Sequence, residues 1–127
     1  MKRKNIFISG TNTEVGKTFV TLNIIKLLVF KGTKVNPYKP IETGCKEQLS
    51  ELIPHDSMLF YKAINKRISL NQINPYRFLE PISPAAAIKR SRKKIYIKDY
   101  RKKLEDLPSG DITLIEGAGG LCSPLAP

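Results

Sequence analysis

The stretch Gly10-Thr11-Asn12-Thr13-Glu14-Val15-Gly16-Lys17-Thr18 restricts the fold more than any other part of the sequence. The apolar run Ile6-Phe7-Ile8 leads into it, and a longer apolar run from Phe19 to Phe30 leads out. Strand, glycine loop, Lys-Thr and helix, in that order, read as a phosphate-binding loop. The glycines let backbone N–H groups turn inward around phosphate oxygens. The helix that starts near Lys17 points the positive end of its dipole at the same place. Lys17 adds a mobile cation for the outer phosphates, and the Thr18 hydroxyl can ligate magnesium. The spacing departs from the commonest pattern: five residues, not four, separate Gly10 from Gly16, and Thr11 stands where the usual count would put the first glycine. A chance glycine-rich turn before a helix is the bland alternative. Gly-Lys-Thr in this setting weighs against it.

The rest of the chain supplies the elements such a loop needs. Lys4 to Ser9 is expected to be a buried parallel strand, because its apolar residues run together. Thr18 to about Phe30 is a helix whose apolar positions spread almost all round, so it is expected to lie well inside a sandwich. Lys31-Gly32 ends it, with Gly32 as the C′ glycine. Thr33 to Tyr38 reads as a second strand, shortened by Pro37. Lys39-Pro40-Ile41-Glu42-Thr43-Gly44-Cys45 follows as a loop at that strand's carboxyl end, where ligands bind in open α/β sheets. Lys39 and Thr43 suit a role facing the phosphate loop; position alone leaves a solvated surface loop equally open.

Asp56 reads as the N-cap of a helix running to about Asn65, and His55 as a loop residue. Residues 69–78 read as irregular. Ser83-Pro84 is a start signal for a short helix through Ala85 to Lys89. Ile97, Tyr100, Leu104 and Leu107 fall three and four apart, the mark of an amphipathic helix, which Pro108-Ser109-Gly110 stops. Asp111 to Ile115 reads as a third buried strand, ending in Glu116-Gly117-Ala118-Gly119-Gly120. A carboxylate directly after an apolar strand, in a chain with a phosphate loop, is placed for a nucleotide's magnesium. The glycines after it allow close backbone approach to a ligand. An ordinary strand-to-loop turn with a solvated Glu is the alternative.

With 127 residues, one domain is expected over 1–127, short for a doubly wound sheet. At 41% hydrophobic and 26% charged the composition is that of a globular chain. No apolar run approaches the ~20 residues of a membrane span. The basic Met1 to Lys4 precedes too short an apolar stretch for a secretory signal. Cys45 and Cys122 lie far apart and make no metal pattern, which favours a reduced cytosolic state. The net charge of +11 raises the possibility of a nucleic-acid partner. Its bulk, however, flanks or occupies the amphipathic helix after residue 88, where it reads as a solvated face, and no aromatics interleave with it for base stacking.

Four segments together carry a family resemblance: Gly10 to Thr18, Tyr38-Lys-Pro-Ile-Glu-Thr-Gly44, Asn74-Pro-Tyr-Arg-Phe-Leu-Glu-Pro-Ile-Ser-Pro84 and Glu116-Gly-Ala-Gly-Gly120. In this order they make the chain resemble the amino-terminal part of the dethiobiotin synthetase family of the biotin pathway. The family's loop has the five-residue spacing. The resemblance implies a three-layer α/β/α P-loop NTPase fold with a mainly parallel sheet. It makes residues 1–127 a single nucleotide-binding domain, incomplete at the carboxyl end, with carboxyl-terminal strands missing. The implied reaction is ATP-dependent ring closure of 7,8-diaminopelargonate with carbon dioxide, through a carbamate and a carbamic-phosphoric anhydride.

The implied roles follow. Lys17 and the N–H groups from Glu14, Val15, Gly16, Lys17, Thr18 and Phe19 would hold the triphosphate. Thr18, Asp56 and Glu116 would bind magnesium and so lie against ATP. Lys39 would act with Lys17 as a catalytic cation on the carbamate side. Thr43 would contact the substrate, and Gly117, Ala118 and Gly119 would approach the nucleotide with backbone. A cytoplasmic homodimer is implied for the full-length form, with no nucleic acid and no membrane. Two other readings are a partition-type regulatory P-loop ATPase and an inactive truncated remnant. The first usually carries an extra Lys early in the loop, and Gly10-Thr11 has none.

Overall fold

The computed structural model describes residues 3–11, 16–120 and 124–127. Three parallel strands form the main sheet, in the order β1-β7-β2. They are β1 (Lys4–Ile8), β2 (Val35–Tyr38) and β7 (Ile112–Glu116). A parallel crossover needs a long connection, and α1 (Lys17–Phe30) supplies it between β1 and β2. The register pairs Ile8 with Glu116 and Tyr38 with Ile115. The phosphate loop, Lys39 and the Glu116 turn therefore leave the sheet side by side at its carboxyl edge.

Smaller ladders surround this edge. β3 (Ile41–Glu42) pairs in parallel with β6 (Tyr76–Arg77), and β4 (Lys46–Gln48) forms a hairpin with β5 (Glu51–Ile53). α2 (His55–Ala63) and α3 (Leu70–Ile73) follow the hairpin, and α4 (Pro84–Ser91) and α5 (Ile97–Glu105) precede β7. The ladders are thus mainly parallel and alternate with helices, an α/β P-loop arrangement.

Local chemistry accounts for several boundaries. α1 ends in a Schellman turn: Gly32 N donates to Val29 O, Thr33 N donates to Leu28 O, and Gly32 has φ +79°. Ser83 caps α4, its hydroxyl accepting from Ala86 N, with Pro84 as the first helical residue. Ser69 and Gln72 form a capping box at α3.

The main core gathers Ile25 of α1, Val35 and Tyr38 of β2, Phe60 of α2, Ile73 and Leu114. A second cluster joins Ile41, Phe78, Ala87, Ile88, Ile95 and Tyr100.

Five expectations need correction. The stretch from Lys39 to Cys45 is not all loop, since it contains β3, paired with β6. β1 is parallel but mostly exposed, because β7 alone pairs with it among the described residues. α1 is not enclosed: Thr21 and Ile25 are buried, while Phe19, Val20, Leu27 and Phe30 face outward. Asp56 is not the N-cap of α2; Pro54 holds that place, and His55 is the first helical residue. Residues 69–78 are not irregular, since they contain α3 and β6.

Candidate nucleotide and metal site

Gly16, the residue before α1, sits in the left-handed region at φ +92°, which a side chain would strain. The first intrahelical bond here runs from Val20 N to Gly16 O. The N–H groups of Lys17, Thr18 and Phe19 therefore precede the helical ladder and, among the described residues, have no backbone partner, which suits them to an anion. The expected contributors Glu14 and Val15 lie outside the described residues.

A cavity of about 330 Å³ opens at this helix end. Its walls bring together nearly every residue that the motifs singled out: Gly16 to Phe19, Lys39, Thr43, Asp56 and Gly117 to Gly119, with Glu116 at the base. Four elements converge there because the carboxyl ends of β1, β2 and β7 are level and the start of α2 faces them.

Lys39 is the centre of the charge arrangement. It is 6% exposed, and its Nζ donates to Asp56 Oδ2 at 2.8 Å and lies 3.8 Å from Glu116 Oε1. Its backbone is fixed on both sides. Lys39 N donates to Ile73 O, and the buried Asn74 amide donates to Lys39 O at 2.8 Å. Burial works against the charged amine. The carboxylates of Glu116, Asp56 and Glu42 together outweigh burial and hold its pKa above the ordinary value. Lys17 shows the opposite balance. Burial and the nearby Lys39 charge lower its pKa, against the pull of Glu116 and Asp56. Lys17 Nζ donates to the Gly119 carbonyl.

The two acids differ as well. Burial would raise Asp56, but the Lys39 charge and hydrogen bonds from Lys39 and Thr18 bring it below the usual carboxylate value. Glu116, 1% exposed, is raised by burial despite Lys39 and Thr18.

The donor set fits a magnesium ion. Thr18 Oγ1 lies 2.9 Å from Glu116 Oε1 and 3.1 Å from Asp56 Oδ2. One hydroxyl proton can serve only one of these oxygens at a time. Glu116 Oε2 is buried with no hydrogen-bond partner among the described residues. Two carboxylates and a hydroxyl converge with an acceptor to spare, and such hard oxygens suit magnesium together with phosphate and water. Among the described residues no group of three or more His, Cys, Asp or Glu side chains is placed to hold a metal ion by itself.

Thr43 lines the cavity beside Glu42. Gly117 N donates to Ile8 O, and a Cβ on Gly117 would stand 3.1 Å from the Phe7 ring. The glycine turn can therefore lie close against β1. Motif reading missed Glu42. Its carboxylate accepts from Asp56 N, Ser57 N and Ser57 Oγ. Nothing in the spacing marks this residue; only its burial inside a motif-rich loop does.

Comparisons with known proteins give the chain its family and its relatives. The family model described as AAA domain matches residues 4–127. The chain is similar to the ATP-dependent dethiobiotin synthetase BioD of Thermodesulfovibrio yellowstonii, with 39% identity over 120 residues, covering 94% of this chain and 50% of the relative. It is 38% identical over 121 residues to the synthetase of Aquifex aeolicus, covering 94% of this chain and 52% of the relative. It is 35% identical over 124 residues to that of Aeromonas salmonicida, covering 96% and 55%. The chain spans about half the length of the curated relatives it matches.

Proposed function

The chain belongs to the AAA domain family, and from that premise we propose that it forms the ATP-binding part of a dethiobiotin synthetase. The observation that carries this reading is the buried Lys39, held between Asp56 and Glu116 in the cavity that begins at the phosphate-loop helix. A general P-loop site needs the lysine of the loop, a hydroxyl and an acid. It does not need a second buried lysine facing them from the next strand. Ring closure through a carbamate does have a use for one.

In this reading Lys17 and the free N–H groups at the start of α1 grip the outer phosphates of ATP. Thr18, Asp56 and Glu116 would hold magnesium, which when bound would spread the charge of the transferring phosphoryl group. Lys39 faces the carbamate of 7,8-diaminopelargonate formed with carbon dioxide, and steadies its charge as it takes the phosphoryl group. The second amine then attacks the mixed anhydride, the cyclic urea closes, and phosphate leaves. Thr43 positions the substrate beside Lys39, and the backbone from Gly117 to Gly119 borders the nucleotide. Phosphoryl transfer needs little covalent help, so cations and positioning supply most of the acceleration.

We place the reaction in the cytoplasm and take the full-length form to be a homodimer. The outward apolar side chains of β1 and α1 support further packing on that flank. No helix among the described residues is long and apolar enough to cross a membrane.

The test is product formation by the full-length protein. Given the diamine, bicarbonate, ATP and magnesium, it is expected to release ADP in step with dethiobiotin. A folded protein that binds ATP but never yields the cyclic urea contradicts the proposal.

A further inference from the structure

We propose that Glu42 is a positioning residue for the metal–nucleotide site: its buried carboxylate stands in for the missing cap of α2 and fixes Asp56 toward Thr18 and Lys39. This rests on the reading of Asp56 as a magnesium ligand.

A helix start leaves N–H groups without intrahelical partners. Pro54, at the N-cap of α2, makes no side-chain hydrogen bond to them. Glu42 reaches across from β3 instead. Oε2 accepts from Asp56 N at 3.1 Å, and Oε1 accepts from Ser57 N at 3.1 Å and Ser57 Oγ at 2.8 Å. Glu42 is buried, and its charge sits at the positive end of the helix dipole. A one-atom cap would hold a single N–H. The two-oxygen fork holds two in succession, and one of them belongs to Asp56 itself. With its backbone pinned, Asp56 presents Oδ2 to Thr18 Oγ1 and Lys39 Nζ.

Glu42 is anchored in turn. The β3–β6 ladder pairs it with Arg77, and Phe78 N donates to Glu42 O at 3.0 Å. This gives a task to the Asn74 to Pro84 segment, none of whose residues line the cavity. Asn74 holds the backbone of Lys39, and the strand after it holds Glu42.

The experiment is Mn²⁺ titration of the ATP-bound protein, read by water-proton relaxation. Asp56→Asn sets the scale. Glu42→Gln is expected to weaken Mn²⁺ on the order of 10-fold, as loss of an outer-shell partner does, while ATP binding in EDTA is unchanged. The double variant is expected to bind Mn²⁺ no more weakly than Asp56→Asn alone, because Glu42 acts through Asp56. Should Glu42→Gln fail to fold, adding Pro54→Ser supplies a cap in sequence and is expected to restore the helix. That cap holds one N–H where the Glu42 fork holds two, so Mn²⁺ affinity should recover only in part. Wild-type Mn²⁺ affinity in folded Glu42→Gln or in the rescued variant, or additive losses in the double variant, would overturn the proposal. An Asp56→Asn protein with unchanged Mn²⁺ affinity would instead sink the metal-site reading, and the role of Glu42 with it.

Discussion

β1 and β2 flank the same central strand, and both are rich in apolar residues, yet they live in different surroundings. Every residue of β2 is buried, and the strand touches both α1 and α3. Four of the five residues of β1 are exposed, Ile6 and Phe7 among them. The difference teaches that an apolar run measures a strand's capacity for burial, not its burial. Coverage depends on which neighbours the fold brings to it. The candidate site sits on the covered side, where α2 closes over Lys39 and its carboxylates. The phosphate loop joins it to the open side.

The sharpest attack on this contrast is Lys39→Ala. Turnover is expected to fall on the order of 1,000-fold, with most nucleotide binding kept, because the lost cation acts on charge that develops during transfer. Equal loss of nucleotide binding would mean that Lys39 serves ATP and not the carbamate side. Packing offers the next comparison. Phe60, 0% exposed, should cost about 3–5 kcal/mol when truncated to Ala. Phe30, 88% exposed, should change stability by no more than about 0.5 kcal/mol. Denaturant unfolding of both variants reads the two sides directly, and similar costs would erase the distinction.

Gly16→Ala is expected to lose about 1–2 kcal/mol from its left-handed backbone alone, since no neighbour among the described residues would crowd the new Cβ. Cys45 gives a pH test of the covered side. Burial pushes its thiol from 9.0 up to about 11, so the fold favours the neutral form. The resulting stabilisation is complete below pH 9.0 and is lost as pH rises toward about 11. Native protein should therefore alkylate at Cys45 far more slowly than unfolded protein at about pH 8. Arg90→Ala is expected to do little as well. Its ion pair with Glu80 is exposed on both sides, so the change in midpoint should correspond to less than about 1 kcal/mol.

The three main strands, most of the helices and the candidate site residues stood out in the sequence for a physical reason. Gly10 to Thr18 must occupy consecutive positions to wrap a phosphate, so the loop announces itself. Glu116 follows an apolar strand and could be placed by the same logic. Asp56 could not, since an acid near a helix start reads first as a cap; the family resemblance alone raised it as a metal ligand, and the structure puts it in the first turn against Lys39. The Leu49-Ser50 hairpin turn escaped notice because both residues take positive φ without the glycine or asparagine that usually marks such turns. α3 was legible in principle through the Ser69 and Gln72 box, but one turn of helix carries little periodicity. Glu42 was hidden because its work is long-range, and spacing along the chain says nothing of a partner fourteen residues away.

The central claim is that the loop, Thr18, Asp56 and Glu116 form one site for magnesium and ATP. Calorimetric titration of ATP, with magnesium and then with EDTA, tests it most directly on wild type and Glu116→Gln. The expected result is that magnesium tightens ATP binding to the wild type and has little effect on the variant. ATP binding that is equal with magnesium and with EDTA, or that responds to magnesium just as strongly in Glu116→Gln, would contradict it.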